Sequence, residues 1–356
     1  MRRVKEPPGT WFMFVCISIS LIAAPNLPRA ALAQSEHEQV ASSITRLEKV
    51  LSSLNLPESE AKRLGAEFEE SKRALGAGHL FYGLYKLQAA WAEVQTREYL
   101  SAKSAIGQEG AGAFESEWKR LGLVLDEKEK QLAGDALRRG PAAVRALAES
   151  SLTQVRPYYK SGRLYGLNTT LNDGLYYLGL SPALLDYALF CQSLTFGRAS
   201  PELKLAPLGD ALAGLESETL RSFRRAEADG QYQQNDSRRL RYIRANVTLK
   251  MAAELNREQR TAGAFHKYLE AMLYLGLADD APPGDLPRLK SQSEAFAARL
   301  HDPKVDHSIG RLYWEMAQAA LRRTEAGRPG GEEQQRASVI LEKVLPAYFK
   351  LCGDKS

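Results

Sequence analysis

An all-α fold is what this sequence predicts, and three observations predict it. Apolar residues recur at helical spacing almost from end to end. No run of alternating β-branched and polar residues nominates a strand. Proline, glycine and capping residues punctuate the chain at intervals suited to helical hairpins. Antiparallel hairpins stacked into an α-solenoid-like array, or packed as helical bundles, are the architectures such a pattern builds.

Residues 1–33 come first and stand apart. Arg2, Arg3 and Lys5 make a basic start, Trp11 through Ala24 make an apolar run too short to span a bilayer comfortably, and Ala31-Leu32-Ala33 offers small residues where a signal peptidase reads them. This is the pattern of an export signal, with cleavage expected after Ala33. The chain from Gln34 is expected in the periplasm or outside the cell, soluble and without a membrane span. The segment holds four basic residues (Arg2, Arg3, Lys5, Arg29) and one acid (Glu6), so the formal charge of +5 falls to +2, 44 basic against 42 acidic side chains. So small an excess gives no reason to expect a nucleic-acid partner. Cys16 lies within the apolar run after Phe14-Val15, unlike a lipoprotein cleavage site. Cys191 and Cys352 are too few to staple the fold and are expected as two thiols more readily than as a bridge.

The helices follow in order. Val40, Ile44, Leu47, Leu51 and Leu54 step by four and three, which predicts a helix over 35–54. Pro57, placed where a first-turn proline is tolerated, opens 57–75. Leu80, Leu84, Leu87, Trp91 and Val94 form the stripe of 78–105. Helices over 113–124 and 127–138 come next, then 141–160 after Pro141, 163–178, and 182–196 starting at Pro182. A second series runs 205–228, 236–255, 258–275, 285–300, 304–326 and 332–351. Leu240, Ile243, Val247, Met251 and Leu255 supply the core stripe of 236–255, with Asp236 and Ser237 as capping residues; Ile340, Val344, Ala347 and Leu351 do the same near the end. The loop at 197–207 divides an N-terminal helical subdomain, 34–198, from a C-terminal helical-hairpin subdomain, 199–356, unless the array runs through it.

Several second-of-pair helices open alike. Gly78, Gly162 and Gly263 each follow a small residue and precede, two and three positions on, an apolar residue and a ring; Gly310 is a looser copy. A glycine there lets the chain reverse tightly or lets two helices approach. The spacing is uneven, so this is a shared hairpin grammar and not a strict repeat. In the last hairpin Trp314, Ala337 and Pro346 have the residue types of the tetratricopeptide pattern, but their spacing departs from it and its glycine and tyrosine are missing.

Chemical motifs are sparser. His301, Asp302, Asp306 and His307 place two imidazoles and two carboxylates in seven residues, but Asp302-Pro303 reads better as a helix start than as a metal site. No nucleophile, base and acid grouping and no phosphate-cradling glycine loop is present, so no cofactor or metal is called for. Two binding candidates remain. The first is tyrosine-rich: Tyr158, Tyr159 and Tyr165, followed by Tyr176, Tyr177 and Tyr187, which either line a groove for a sugar chain or peptide or pack helices with their hydroxyls at the surface. The second is a concentration of arginine about one hairpin turn, Arg221, Arg224 and Arg225 before it and Arg238, Arg239, Arg241 and Arg244 after it. Less Glu227, Asp229 and Asp236, this makes a patch of about +4.

These features support two readings. The first is an exported, non-catalytic interaction protein of helical-repeat type that binds a protein or peptide partner, acidic if the arginines are its contact. The alternative resembles, in architecture alone, the α/α-toroids of carbohydrate-active enzymes, with the tyrosines lining the cleft. The leader makes its own prediction: mass spectrometry of material exported from a bacterial host places Gln34 at the amino terminus, and recovery of the intact chain from the membrane fraction overturns it.

Overall fold

The computed structural model describes residues 35–132, 140–196, 200–228, 236–279, 282–327 and 331–353. The leader and Gln34 lie outside them, and Gln34–Ser356 forms one compact unit. The chain is all-α, with no strand among the described residues.

In order, the elements are α1 (Glu36–Ser53), α2 (Glu58–Gly76), α3 (Leu80–Ala102), the single turn α4 (Ile106–Glu109), α5 (Ala111–Leu132), α6 (Ala142–Asn168) and α7 (Leu171–Ser193). Then come α8 (Gly209–Ala228), α9 (Asp236–Arg257), α10 (Thr261–Ala278), α11 (Leu286–Arg299) and α12 (Ser308–Glu325). The chain ends with α13 (Glu332–Val339), one π turn (Ile340–Val344) and α14 (Leu345–Leu351).

The first stripe behaves as its spacing predicts. Val40, Ile44 and Leu47 are buried, and a reciprocal cap between Ser35 and Glu38 starts the helix. Every member of the Leu80 to Val94 stripe is buried. Helices α3, α6, α10 and α12 make the centre: α6 packs on α10, and α12 packs on both α3 and α6. Helices far apart in the sequence therefore share one core, and α2, α7, α9, α11 and α13 flank it.

Three sequence expectations are corrected. The predicted breaks at 125–126, 161–162 and 179–181 are absent, because α5, α6 and α7 each run straight through. Pro182 lies inside α7, where it removes one backbone donor, but Leu178, Leu184 and Leu185 are buried on both sides of it and hold the helix together. Gly162 is likewise no turn. Together with Gly166 and Gly174 it lets α6 and α7 approach until a Cβ on Gly174 would stand 2.5 Å from the Gly166 Cα.

The third correction concerns α9. Leu240, Ile243 and Val247 are exposed (52%, 44% and 50%), while Tyr242, Ala245, Leu249, Ala252 and Leu255 are buried. This helix carries two apolar faces, and the one that alternates Tyr242, Leu249 and Leu255 with Ala245 and Ala252 is covered where α9 packs on α10.

The central helices begin inside the protein, and a helix start leaves backbone N–H groups without intrahelical acceptors. Remote side chains supply them. Glu315 on α12 accepts from Tyr82 N at 2.8 Å, Asp306 from Ala142 N at 2.6 Å, Ser308 Oγ from Ala143 N at 2.8 Å, and Glu149 on α6 from Gly263 N at 2.6 Å. The four residues of the His301 to His307 segment are all used structurally. Asp302 accepts from Lys304 N, His301 Nδ1 meets the Ala297 carbonyl, Asp306 serves α6, and His307 Nδ1 meets the Tyr348 hydroxyl at 2.9 Å. Cys191 and Cys352 are both thiols; burial pushes Cys191 up to about 12.

Glu315 is fully buried, and burial pushes its carboxyl up to about 7 against the opposing pull of the Tyr82 N–H, Arg311 and the Phe81 N–H. Unfolded, the same group releases its proton near 4.5. Between these values the folded state holds a proton that the unfolded chain has lost, so this contribution is complete below about pH 4.5 and fades as pH rises through about 7. Glu315→Gln keeps the acceptor and abolishes the titration. Denaturant melts from pH 5 to pH 8 are expected to show the variant gaining on the native chain by up to about 3 kcal/mol; parallel curves overturn the assignment.

Candidate functional site

The α8–α9 hairpin carries the arginines singled out in the sequence. Helix α8 turns Leu212, Leu215, Thr219 and Ala226 inward, and Phe223 meets Tyr242 of α9 edge to face at 6.0 Å. A quarter turn round, Glu218, Arg221, Ser222 and Arg225 follow one another at helical spacing and face a cleft of about 470 Å³. Arg238 and Tyr242, one turn apart on α9, form the facing wall, and Asp279 closes the end just beyond α10. The Tyr242 hydroxyl interacts with both Arg238 and Asp279, and burial raises it. Asp279 also pairs with Lys343 at 3.4 Å.

Three of the seven arginines thus meet in one cleft, and the other four do not line it. Arg241 is a structural bridge: Nη1 donates to the Leu277 carbonyl at the end of α10 and Nη2 to Glu332, both at 2.9 Å. Arg224, Arg239 and Arg244 are exposed outside the cleft, Arg244 close enough to the Tyr274 phenol to lower it against the larger upward push of Glu270 and burial. Arg221 and Arg225 form no ion pair among the described residues; Arg221 Nε only donates to the Ser217 carbonyl of its own helix at 3.4 Å. Several arginines elsewhere are compensated, Arg156 by Glu129 and Asp126, Arg163 by Glu115, Arg323 by Glu70 and Glu333. In the cleft, Arg221 and Arg225 stand open to solvent.

The tyrosine stretch forms a packed ladder on α6 and α7. Tyr158 and Tyr165 each stack on Tyr177, at 5.9 and 4.7 Å, and Tyr159 stacks on Trp118 at 5.1 Å. Arg163 lies 4.5 Å over the same Trp118 ring. Tyr159 donates to the Trp118 carbonyl, Tyr176 to Glu93 and Tyr187 to the Leu84 carbonyl. Ring faces of Tyr158, Tyr159 and Tyr165 are engaged with other rings, and their edges join three helices.

A second polar constellation has no counterpart in the sequence reading. On α10, Lys267 and Glu270 form a buried ion pair at 2.6 Å, and Glu270 also accepts from the Tyr85 hydroxyl at 3.0 Å. Next to them, the Tyr313 hydroxyl donates to the His266 carbonyl at 2.9 Å and lies 3.2 Å from His266 Nδ1. Burial holds His266 down at about 4, so the ring is neutral. Burial would raise Glu270, but Lys267, His266 and the Tyr85 hydroxyl outweigh it and leave the carboxylate below its ordinary range. Although His266, Glu270 and tyrosine are acid–base chemistry, His266 is 1% exposed, and a substrate could reach it only by parting α10 from α3 and α12. The network locks these helices together. Its one sequence signal was the density of His266, Lys267 and Glu270 in a helix otherwise rich in leucine and alanine.

Comparison of the chain with protein-family models, with curated proteins and with solved structures found no match.

The buried pair makes a stability prediction. Lys267→Met strands the Glu270 charge and is expected to cost about 3 to 5 kcal/mol, while Lys267→Met with Glu270→Gln recovers most of the loss. Denaturant unfolding of the double-mutant cycle measures it, and additive losses contradict the pairing.

Proposed function

We propose that this chain is a non-catalytic binding protein that takes an acidic segment of a protein or peptide partner in the α8–α9 arginine cleft, acting in the exported compartment its leader addresses. One observation carries the reading: Arg221 and Arg225 line a cleft of about 470 Å³ side by side, without an ion pair among the described residues. A guanidinium at a surface cleft is weakly hydrated and presents a planar fork of donors, so it is suited to carboxylates. The cleft's own acids are partly spent. Asp279 is held by Lys343 and Tyr242, which leaves Glu218 as the acid that an incoming carboxylate must pass.

Arg221→Glu with Arg225→Glu is the direct test, since both side chains are exposed and neither supports the core. Fluorescence anisotropy with a labelled poly-glutamate peptide is expected to show binding that weakens with salt and falls at least about tenfold in the double variant, with an unchanged thermal melt. Equal binding by both proteins, or none by the native chain at low salt, rejects the reading.

A further inference from the structure

The arginine cleft does not end at Glu218. A second cavity of about 470 Å³ shares that residue and continues under the first half of α8, toward Pro207. Its lining is of a different kind: Ala211 and Leu215 of α8 face Met272 of α10 and Ala347 and Leu351 of α14. Asp210 and Lys350 stand at this end with opposite charges, so it carries no net sign. On α8, residues 211, 214, 215, 218, 221, 222 and 225 fall on one side of the helix, so the two cavities are halves of one groove along it. From Asp210 to Arg225 the groove is about 22 Å long at 1.5 Å per residue, the reach of about seven residues of extended chain.

We infer that the groove along α8 binds a peptide segment of two blocks, apolar residues over Ala211, Met272, Ala347 and Leu351 and carboxylates against Arg221, Arg225 and Arg238. This deepens the proposed function and rests on the arginine cleft being a binding site. The occupant is chosen by complementarity: a lone polyanion leaves the apolar half wet, and an apolar segment without acids leaves Arg221 and Arg225 uncompensated. Glu218, at the boundary, disfavours a carboxylate midway and so sets where the acidic block begins.

Gly214 supplies a clean probe. It lines the apolar half, and a Cβ built on it meets nothing within 4 Å, so Gly214→Phe fills the groove without displacing the core, while a side chain at this helical site favours folding. Gly214→Ala is the matched control. The ligands are two labelled synthetic peptides of identical composition, one with leucines and glutamates in separate blocks and one with them alternating, beside a glutamate-only peptide.

The block peptide is expected to bind at least about tenfold more tightly than the alternating one, an advantage that Gly214→Phe abolishes and Gly214→Ala preserves. A benzophenone on its apolar end is expected to label Met272, and one on its acidic end the stretch around Tyr242. If Arg221→Glu with Arg225→Glu weakens every peptide while Gly214→Phe changes none, the two-block inference fails and the acidic-partner reading stands. If no peptide binds, both fail. A concentration-dependent dimer lost in Gly214→Phe, or capture by anionic vesicles that this substitution prevents, assigns the groove to a second copy or to a lipid surface and overturns the inference.

Discussion

The fold depends on satisfying helix starts that lie inside it. A buried N-terminus leaves unpaired amide groups and the positive end of a helix dipole in a medium of low dielectric, and each unmet donor costs about 1 to 3 kcal/mol. Helices α3, α6 and α10 all begin this way, and each is met by an oxygen from elsewhere: Glu315 for α3, Asp306 and Ser308 for α6, Glu149 for α10. These bonds span sequence separations from 114 to 233 residues. They act as local caps and long-range ties together, because the same carboxylate that completes one helix anchors another.

With the starts fixed, the interior can afford dense contact and buried charge. Glycines bring α6 and α7 to backbone contact, and Lys267 and Glu270 neutralise each other beside a neutral His266. A buried pair of this kind is weak evidence for added stability, since desolvation offsets much of its attraction, but removing one partner is severe. Its effect is orientation: α10 has one rotation in which Glu270 faces Tyr85 and His266 faces Tyr313.

The α8–α9 hairpin stands in contrast to this centre. Helix α8 is mostly exposed and touches the rest chiefly through α9 and α10, which leaves open space along one of its sides. On the outer side of α9, Leu240, Ile243 and Val247 face solvent between Arg239 and Lys250. Among the described residues, the unpaired Arg221 and Arg225 and this exposed apolar surface therefore gather on one hairpin, on faces turned away from the core.

Helical class, the Val40 and Leu80 stripes and the clustering of arginine about one hairpin were determined by the sequence alone, because each is a matter of local spacing on a helix. Where helices break was less legible: Gly162 and Pro182 carry the same local signal as a turn, and only the burial on both sides keeps α6 and α7 whole. The periodicity of α9 could not say which of its two apolar faces would be covered, since that depends on how α9 rotates as it packs on α10. Nor could it say that Arg221, Arg225 and Arg238 would share a cleft while Arg241 turned to Glu332, or that His266, Glu270, Tyr85 and Tyr313 would meet. Those juxtapositions join residues up to 228 positions apart, and they follow from how the helices pack around their buried starts, which no local pattern encodes.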